Sequence, residues 1–236
     1  MTTLAFDTAT PAPSLAVLRD GALLLERTLA PEPGAGRRVA EEIHLLLRAA
    51  AVEVGELDES VVGVGPGGFT GLRIGIATAL GLGQALAIPV AGVVSLEALA
   101  LGMADHAPPG VVLVPVIDAK RQEVFAAGYR PDGAGGLDTV IEPVAATAAG
   151  LAEMLRTVAT PKRPAWLAGD GTPRCEPLLD DAVVAAPPGS PAHAISASRL
   201  VSRVAGGGWR PVVPLYLRLP DAEVNRLRRE REAARA

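Results

Sequence analysis

Two stretches of this sequence carry residue types that could do chemistry. Asp7 ends the apolar run TLAFD, with Thr8 and Thr10 close behind. A carboxylate at the end of a strand, followed by hydroxyls on a turn, can face a metal-bound phosphate. Ala9 stands inside that turn, and its Cβ hinders the close backbone approach that glycine would allow. Asp7 and Thr10 can instead tie the turn down by hydrogen bonding to main chain, and this is the reading the residues favour.

The second stretch is GPGGFTGLRIG, residues 65–75, which follows the strand-like run SVVGVG. Glycines between a strand and a helix can cradle phosphate on backbone N–H groups. This loop lacks the Lys-Ser/Thr pair of a phosphate-binding loop, and Pro66 removes one donor. Phe69 and Thr70 break the dinucleotide-binding pattern as well. Gly65, Gly67, Gly68 and Gly71, with Phe69 and Thr70, therefore read as a structural loop, in which glycine permits positive φ or close approach of two backbones.

Other candidates are weaker. His44, His106 and His193 show no metal-ligand spacing, so no metal site is expected. Cys175 has no recognisable catalytic setting, and no GxSxG elbow occurs. AGDGTP, residues 168–173, fits a plain strand-to-loop turn better than a second phosphate turn.

Elements that must position these residues follow from periodicity. TLAFDTA, SLAVLRDG and ALLLERTL read as three strands. RRVAEEIHLLLRAAAV is helical, with Val39, Ile43, Leu46, Leu47 and Ala50 on one face. Strand SVVGVG, the glycine loop, a helix over about 71–87 and strand VAGVV follow. A helix SLEALALGMADH then opens with Ser95 as N-cap. The order β-β-β-α-β-α-β-α predicts a mixed sheet flanked by helices. HAPPG, residues 106–110, marks a boundary, and GVVLVPVIDAKRQEVFAAGY then restarts the pattern of an apolar strand ending in Asp (Asp118). This is a weak internal repeat. The expected organisation is a lobe over 1–105 carrying the loop and docking helices, a second lobe over 110–220, and a charged helical tail over 221–236. TAAGLAEMLRTV, PAWLAGDG and ISASRLVSRVA are assigned to the second lobe.

Composition excludes several classes. Aromatic residues make up 3% of the chain, too few for the stacking platforms of single-strand RNA readers. A net charge of −4 supplies no global field for nucleic acid or anionic membranes. One cysteine permits no internal disulfide, which suits a cytoplasmic setting, and the N-terminus lacks the pattern of a signal peptide. Ile74 to Leu96 is uncharged and long enough to span a bilayer. Gln84, several glycines and Pro89 divide it, so a helix, a turn and a short strand are expected instead.

The helix launched by the glycine loop has an unusual surface. At about 100° per residue, Arg73 and Gln84 share one narrow polar strip, and roughly 260° of the circumference is apolar or small. Gly71, Gly75, Ala79, Gly83 and Ala87 recur every fourth position, allowing close packing along one side. Leu80 lies beside Arg73 and Gln84, where a monomer would turn to solvent. Arg73, Ile76, Ala77, Leu80 and Gln84 are accordingly expected to form a docking strip.

Several blocks together resemble the TsaB (YeaZ) family: LAFDTATPAPSLAVL, GVGPGGFTGLRIGIATALGLGQALAIPVAGVVSLEALA, VIDAKRQEVFAAGY, LAGDG and PLYLRLPDAE. The match runs in order over most of the chain. The resemblance implies an α/β fold of two actin-like (ribonuclease-H-like, ASKHA) lobes with mixed sheets. It also implies a non-catalytic subunit of the bacterial complex that transfers a threonylcarbamoyl group to N6 of adenosine 37 in tRNAs reading A-starting codons. TsaD and TsaE are the implied partners, with a homodimer when the chain is alone. ATP and metal are expected on those partners, and no cofactor on this chain. Two departures bear on side-chain roles: Gly68 replaces the family's usual serine, and Ala35-Gly36 replace a His-Ser pair. The alternatives are an actin-like ATP-dependent small-molecule kinase, which would use Asp7, and an M22-type glycoprotease.

Overall fold

The computed structural model describes residues 1–218 except 33 and 208. The expected tail over 221–236 lies outside the described residues. The first lobe begins with β1 (Thr2–Asp7), β2 (Ser14–Arg19) and β3 (Ala22–Thr28), joined antiparallel. After α1 (Val39–Ala49), β4 (Glu59–Gly63) enters parallel to β1. Next come α2 (Phe69–Leu86), β5 (Val90–Val93) and α3 (Ser95–Ala104). The sheet order is β3-β2-β1-β4-β5.

The second lobe repeats this plan. β6 (Val112–Lys120), β7 (Glu123–Pro131) and β8 (Leu137–Thr147) form an antiparallel meander. After α4 (Ala148–Val158), β9 (Ala165–Ala168) and β10 (Val183–Ala185) extend it in parallel. Its order, β10-β9-β6-β7-β8, is that of the first sheet when read from β8. The two related lobes expected from the internal repeat are thus present. β8 and β10 were not foreseen as strands, because β8 has an irregular, half-exposed pattern and β10 spans three residues.

Alternating residues of each strand feed different cores, as the two-residue period requires. Leu4 and Phe6 pack with Val39, Ile43 and Leu46 of α1, whereas Ala5 faces the opposite cluster. In β6, Val112, Val114 and Val116 meet Leu151 and Leu155 of α4. Leu113 and Ile117 instead join Ala5, Leu96, Leu99 and Leu200 in the core between the lobes. The last helix, α5 (Ala197–Ala205), packs on β1 and β2 rather than on the second lobe's own sheet. Leu200 is fully buried there, and Glu26 of β3 accepts hydrogen bonds from the N–H (3.2 Å) and hydroxyl (2.9 Å) of Ser198.

The uncharged run 74–96 divides as the breaker residues imply. α2 ends at Leu86, Ala87 caps it at φ 55°, and β5 begins at Val90. Among the described residues no helix is long and apolar enough to cross a membrane.

Candidate functional site: the glycine loop and its helix

Asp7 is the hub of the loop. Only 1% of it is accessible, and both carboxylate oxygens are used inside the protein. Oδ1 accepts the N–H of Ala9 at 2.7 Å, and Oδ2 accepts the Ser95 hydroxyl at 2.6 Å. Ser95 in turn accepts the N–H of Gly65 at 3.1 Å, so a chain of hydrogen bonds runs from the β1 turn through α3 to the glycine loop. Burial raises the Asp7 carboxyl above its usual range, only partly opposed by the Ser95 and Ala9 hydrogen bonds. Ser95 is therefore not the N-cap of α3. Val94 holds that position, and the hydroxyl is drawn to a carboxylate 88 residues away. Thr10 donates to the carbonyl of Ala12 at 3.1 Å, which ties the turn locally.

The glycines serve the close approach expected of them. A Cβ on Gly67 would lie 2.4 Å from the carbonyl oxygen of Ala9, and one on Gly71 would lie 2.3 Å from that of Thr8. The Thr8 hydroxyl donates to the Gly71 carbonyl at 2.8 Å, and the Gly68 N–H donates to the Ala9 carbonyl at 2.7 Å. The Gly65 and Gly68 N–H groups thus bond within the protein, and neither is left to cradle a phosphate. At Gly68 an added Cβ would meet only the Ala9 oxygen, at 3.6 Å, so a serine would fit without strain.

Along α2, Gly71, Gly75 and Gly83 lie against the Thr8 backbone, the Thr8 side chain and Val90, and Ala79 is fully buried. Ala87 falls outside this contact row as the left-handed cap. On the opposite side Arg73, Ala77, Leu80 and Gln84 are exposed, Leu80 by 47%. Ile76 is 6% accessible and does not belong to the exposed strip. At about 100° per residue it falls some 20° from Gly83, on the margin of the buried arc.

Arg73 has a partner that helical periodicity could not reveal. Its Nε donates to the Tyr216 hydroxyl at 3.0 Å, and its guanidinium carbon lies 3.9 Å from the Phe69 ring centroid. Phe69 and Tyr216 pack with centroids 5.2 Å apart. Residues 209–218 run as a strap across the first lobe. Gly92 and Arg210 exchange backbone hydrogen bonds, and Leu215 donates to Val64 at 2.8 Å. Arg218 then reaches Glu123 of the second lobe at 2.9 Å. The motif PLYLRLP was the only sequence signal for this contact.

Between the lobes, a cavity of about 280 Å³ lies among Thr8, Gly36, Arg37, Gly68, Lys120 and Asp170. The carboxylate repeating Asp7 in the second lobe, Asp118, borders it and is already neutralised. Arg174 Nε lies at 2.6 Å and Lys120 Nζ at 2.7 Å. Burial pushes the Asp118 carboxyl up, but the hydrogen bonds from Arg174 and Lys120 outweigh it and hold it at about 2. Asp170 Oδ1 accepts the N–H of Asp118 at 3.0 Å, and burial raises its own carboxyl. The histidines remain apart: His44 and His106 are exposed, and His193 bonds to main chain at Gly169 and Pro187. The Cys175 thiol is buried and pushed up to about 11, far from a reactive thiolate.

Comparison with known proteins places this geometry. The Bacillus subtilis protein described as "tRNA threonylcarbamoyladenosine biosynthesis protein TsaB" is 30% identical over 181 residues, covering 77% of this chain and 76% of that one. The chain belongs to the TsaB family. A family model described as "TsaD: tRNA N6-adenosine threonylcarbamoyltransferase" matches residues 36–174 of this chain. An uncharacterised Mycobacterium tuberculosis protein is 38% identical over 224 residues, covering 94% of each chain. Among solved structures, YeaZ from Pseudomonas aeruginosa superposes with a TM-score of 0.74 at 27% identity, covering 92% of this chain and 99% of that one. The TsaB-like blocks quoted from the sequence are the ones that build the β1 turn, the glycine loop and the strap.

Proposed function

We propose that this chain acts in tRNA threonylcarbamoyladenosine biosynthesis as a non-catalytic, partner-binding subunit. It supports a TsaD-type protein that transfers the threonylcarbamoyl group to N6 of adenosine 37, within a cytoplasmic complex that includes TsaE. The observation that carries this reading is the exposed strip of α2. Leu80, Ala77, Arg73 and Gln84 face outward on a helix whose other side meets the β1 turn at Gly71 and Gly75 and Val90 at Gly83. A rigid helix with an apolar centre and polar flanks is suited to helix-on-helix docking. The same strip serves a homodimer when TsaD is missing. ATP and metal sit on the partner subunits. The kinase alternative is disfavoured by Asp7, whose oxygens are spent on Ala9 and Ser95, and by Asp118, which is paired with two cations.

The experiment is reconstitution. Purified chain, tRNA, ATP and activated threonylcarbamoyl donor should give modified adenosine only when TsaD is added, and TsaD should co-purify with the wild-type chain. Product formed without TsaD, or no association with it, would overturn the reading.

A further inference from the structure

A cavity of about 1120 Å³ opens between the lobes and has no part in the α2 strip. Its walls combine Pro11 and Leu29 from the first lobe with Val183, Val184, Ala185 and Pro187 from the second. This volume exceeds the roughly 300–1,000 Å³ of ordinary small-molecule sites. Its charged lining residues are Asp170, Glu176 and Asp180, with no lysine or arginine among them. The remaining titratable lining residue, His193, has both ring nitrogens engaged by main chain. A phosphate chain placed here would meet carboxylates without a compensating cation, whereas a guanidinium or ammonium group would be matched.

One wall of this cavity is a sheet edge. β10 pairs with β9 on one side only, and no strand among the described residues covers the other. Ala165 donates to Ala182 and Ala186 donates to Leu167, each at 2.8 Å, so even-numbered positions face β9. The intervening residues turn outward. Val183 is covered by its own loop: its N–H donates to Asp180 Oδ1 at 2.8 Å, and its carbonyl accepts the Asp180 N–H at 3.0 Å. Ala185 comes next along the open edge, facing the cavity it lines.

We propose that this cavity receives an extended peptide segment of a partner protein, added as a strand beside β10 at Ala185. Alternate apolar side chains of the segment fill the proline- and valine-lined walls, and an intervening arginine or lysine meets Glu176 and Asp170. Strand addition of this kind takes affinity from main-chain hydrogen bonds and specificity from alternate side chains. The proposal does not rest on docking of TsaD at α2.

The test uses the full chain and fluorescent, N-acetylated peptides of alternating valine and arginine, or valine and glutamate, followed by anisotropy. The valine–arginine peptide should bind saturably and at least about ten-fold more tightly than its glutamate counterpart, as charge complementarity requires. Glu176→Lys should weaken it about ten-fold. Ala185→Pro, which deletes the outward N–H at an edge where proline is tolerated, should do the same with an unchanged melting temperature. If that variant fails to fold, N-methylation of the peptide at alternate residues tests the same bonds on the unaltered protein and should cost about ten-fold. Equal binding of the N-methylated or glutamate peptide would overturn the proposal. So would arginine amide competing at the same concentration as the peptide, which would indicate a small-cation site. Self-association of the chain that the peptide reverses would assign the groove to a second copy instead.

Discussion

Gly71 and Gly81 lie in the same helix, and alanine should have opposite effects at the two positions. At Gly81 an added Cβ meets nothing within 4 Å. Alanine there gains the ordinary helix advantage, about 0.5–1 kcal/mol. At Gly71 the added Cβ would lie 2.3 Å from the Thr8 carbonyl oxygen, a backbone atom that no rotamer change can move. The first turn of α2 would have to lift away from β1. That would strain the 2.8 Å bond from the Thr8 hydroxyl to the Gly71 carbonyl. Overpacking of this kind typically costs about 1–3 kcal/mol. The two variants should therefore differ by roughly 2–4 kcal/mol, Gly81→Ala above wild type and Gly71→Ala below it. For a chain of this size, each kcal/mol moves the melting temperature by about 2–4 °C, so the melts should separate by roughly 5–15 °C. Urea unfolding followed by circular dichroism gives the same comparison at constant temperature. If Gly71→Ala is as stable as Gly81→Ala, the glycines are not there for close approach, and the account of the loop fails.

Other expectations follow from the same contacts. Leu80→Glu should stay folded, because the side chain is already 47% exposed. About half of the roughly 1.5–3 kcal/mol available from burying a leucine remains for an interface, and an unpartnered carboxylate there costs several kcal/mol more. TsaD capture should drop by at least about 100-fold, and normal capture by a folded Leu80→Glu chain would place the docking surface elsewhere. Asp7→Asn should cost about 1 kcal/mol and leave modification by the reconstituted complex nearly intact. Because burial raises the native Asp7 carboxyl above 3.8, the folded chain holds that proton to higher pH than the unfolded chain. Its contribution to stability thus falls as pH rises through that window, and the stability of Asp7→Asn should lack this slope. Asp118 has the opposite sign: held at about 2 against 3.8 unfolded, it contributes stability above about pH 4, about 1 kcal/mol once solvent screening is allowed for. That contribution is lost as acid titrates it between those values, and Arg174→Ala should flatten the acid limb of a urea-midpoint profile.

The first lobe was legible because its strands alternate cleanly and its breakers are strong. Asp7 at a strand end and glycine or alanine at every fourth position of α2 both pointed to the contacts that exist. The misreadings share one cause, which is competition from residues distant in sequence. Ser95 has the residue type and position of an N-cap, yet Asp7 captures its hydroxyl across 88 positions. Periodicity placed Arg73 in the docking strip but could not show that Tyr216, 143 residues on, holds it against Phe69. Ile76 lay within the apolar arc, where periodicity alone could not say which edge the neighbouring strands would cover. The cleft cavity and the open edge at β10 left no mark in the sequence, since three residues carry no period.

The placement of α5 bears on how the chain comes to be folded during synthesis. Residues 197–205 cover the face of β1 and β2, where Ala5, Ala16 and Leu18 share a cluster with Ala197 and Leu200. An emerging first lobe therefore carries a bare apolar sheet face until residues 197–205 have left the ribosome. Its edge strand, β5, likewise waits for Arg210. A fragment ending at the boundary near residue 106 should be sticky and poorly soluble, while the two lobes made together close each other.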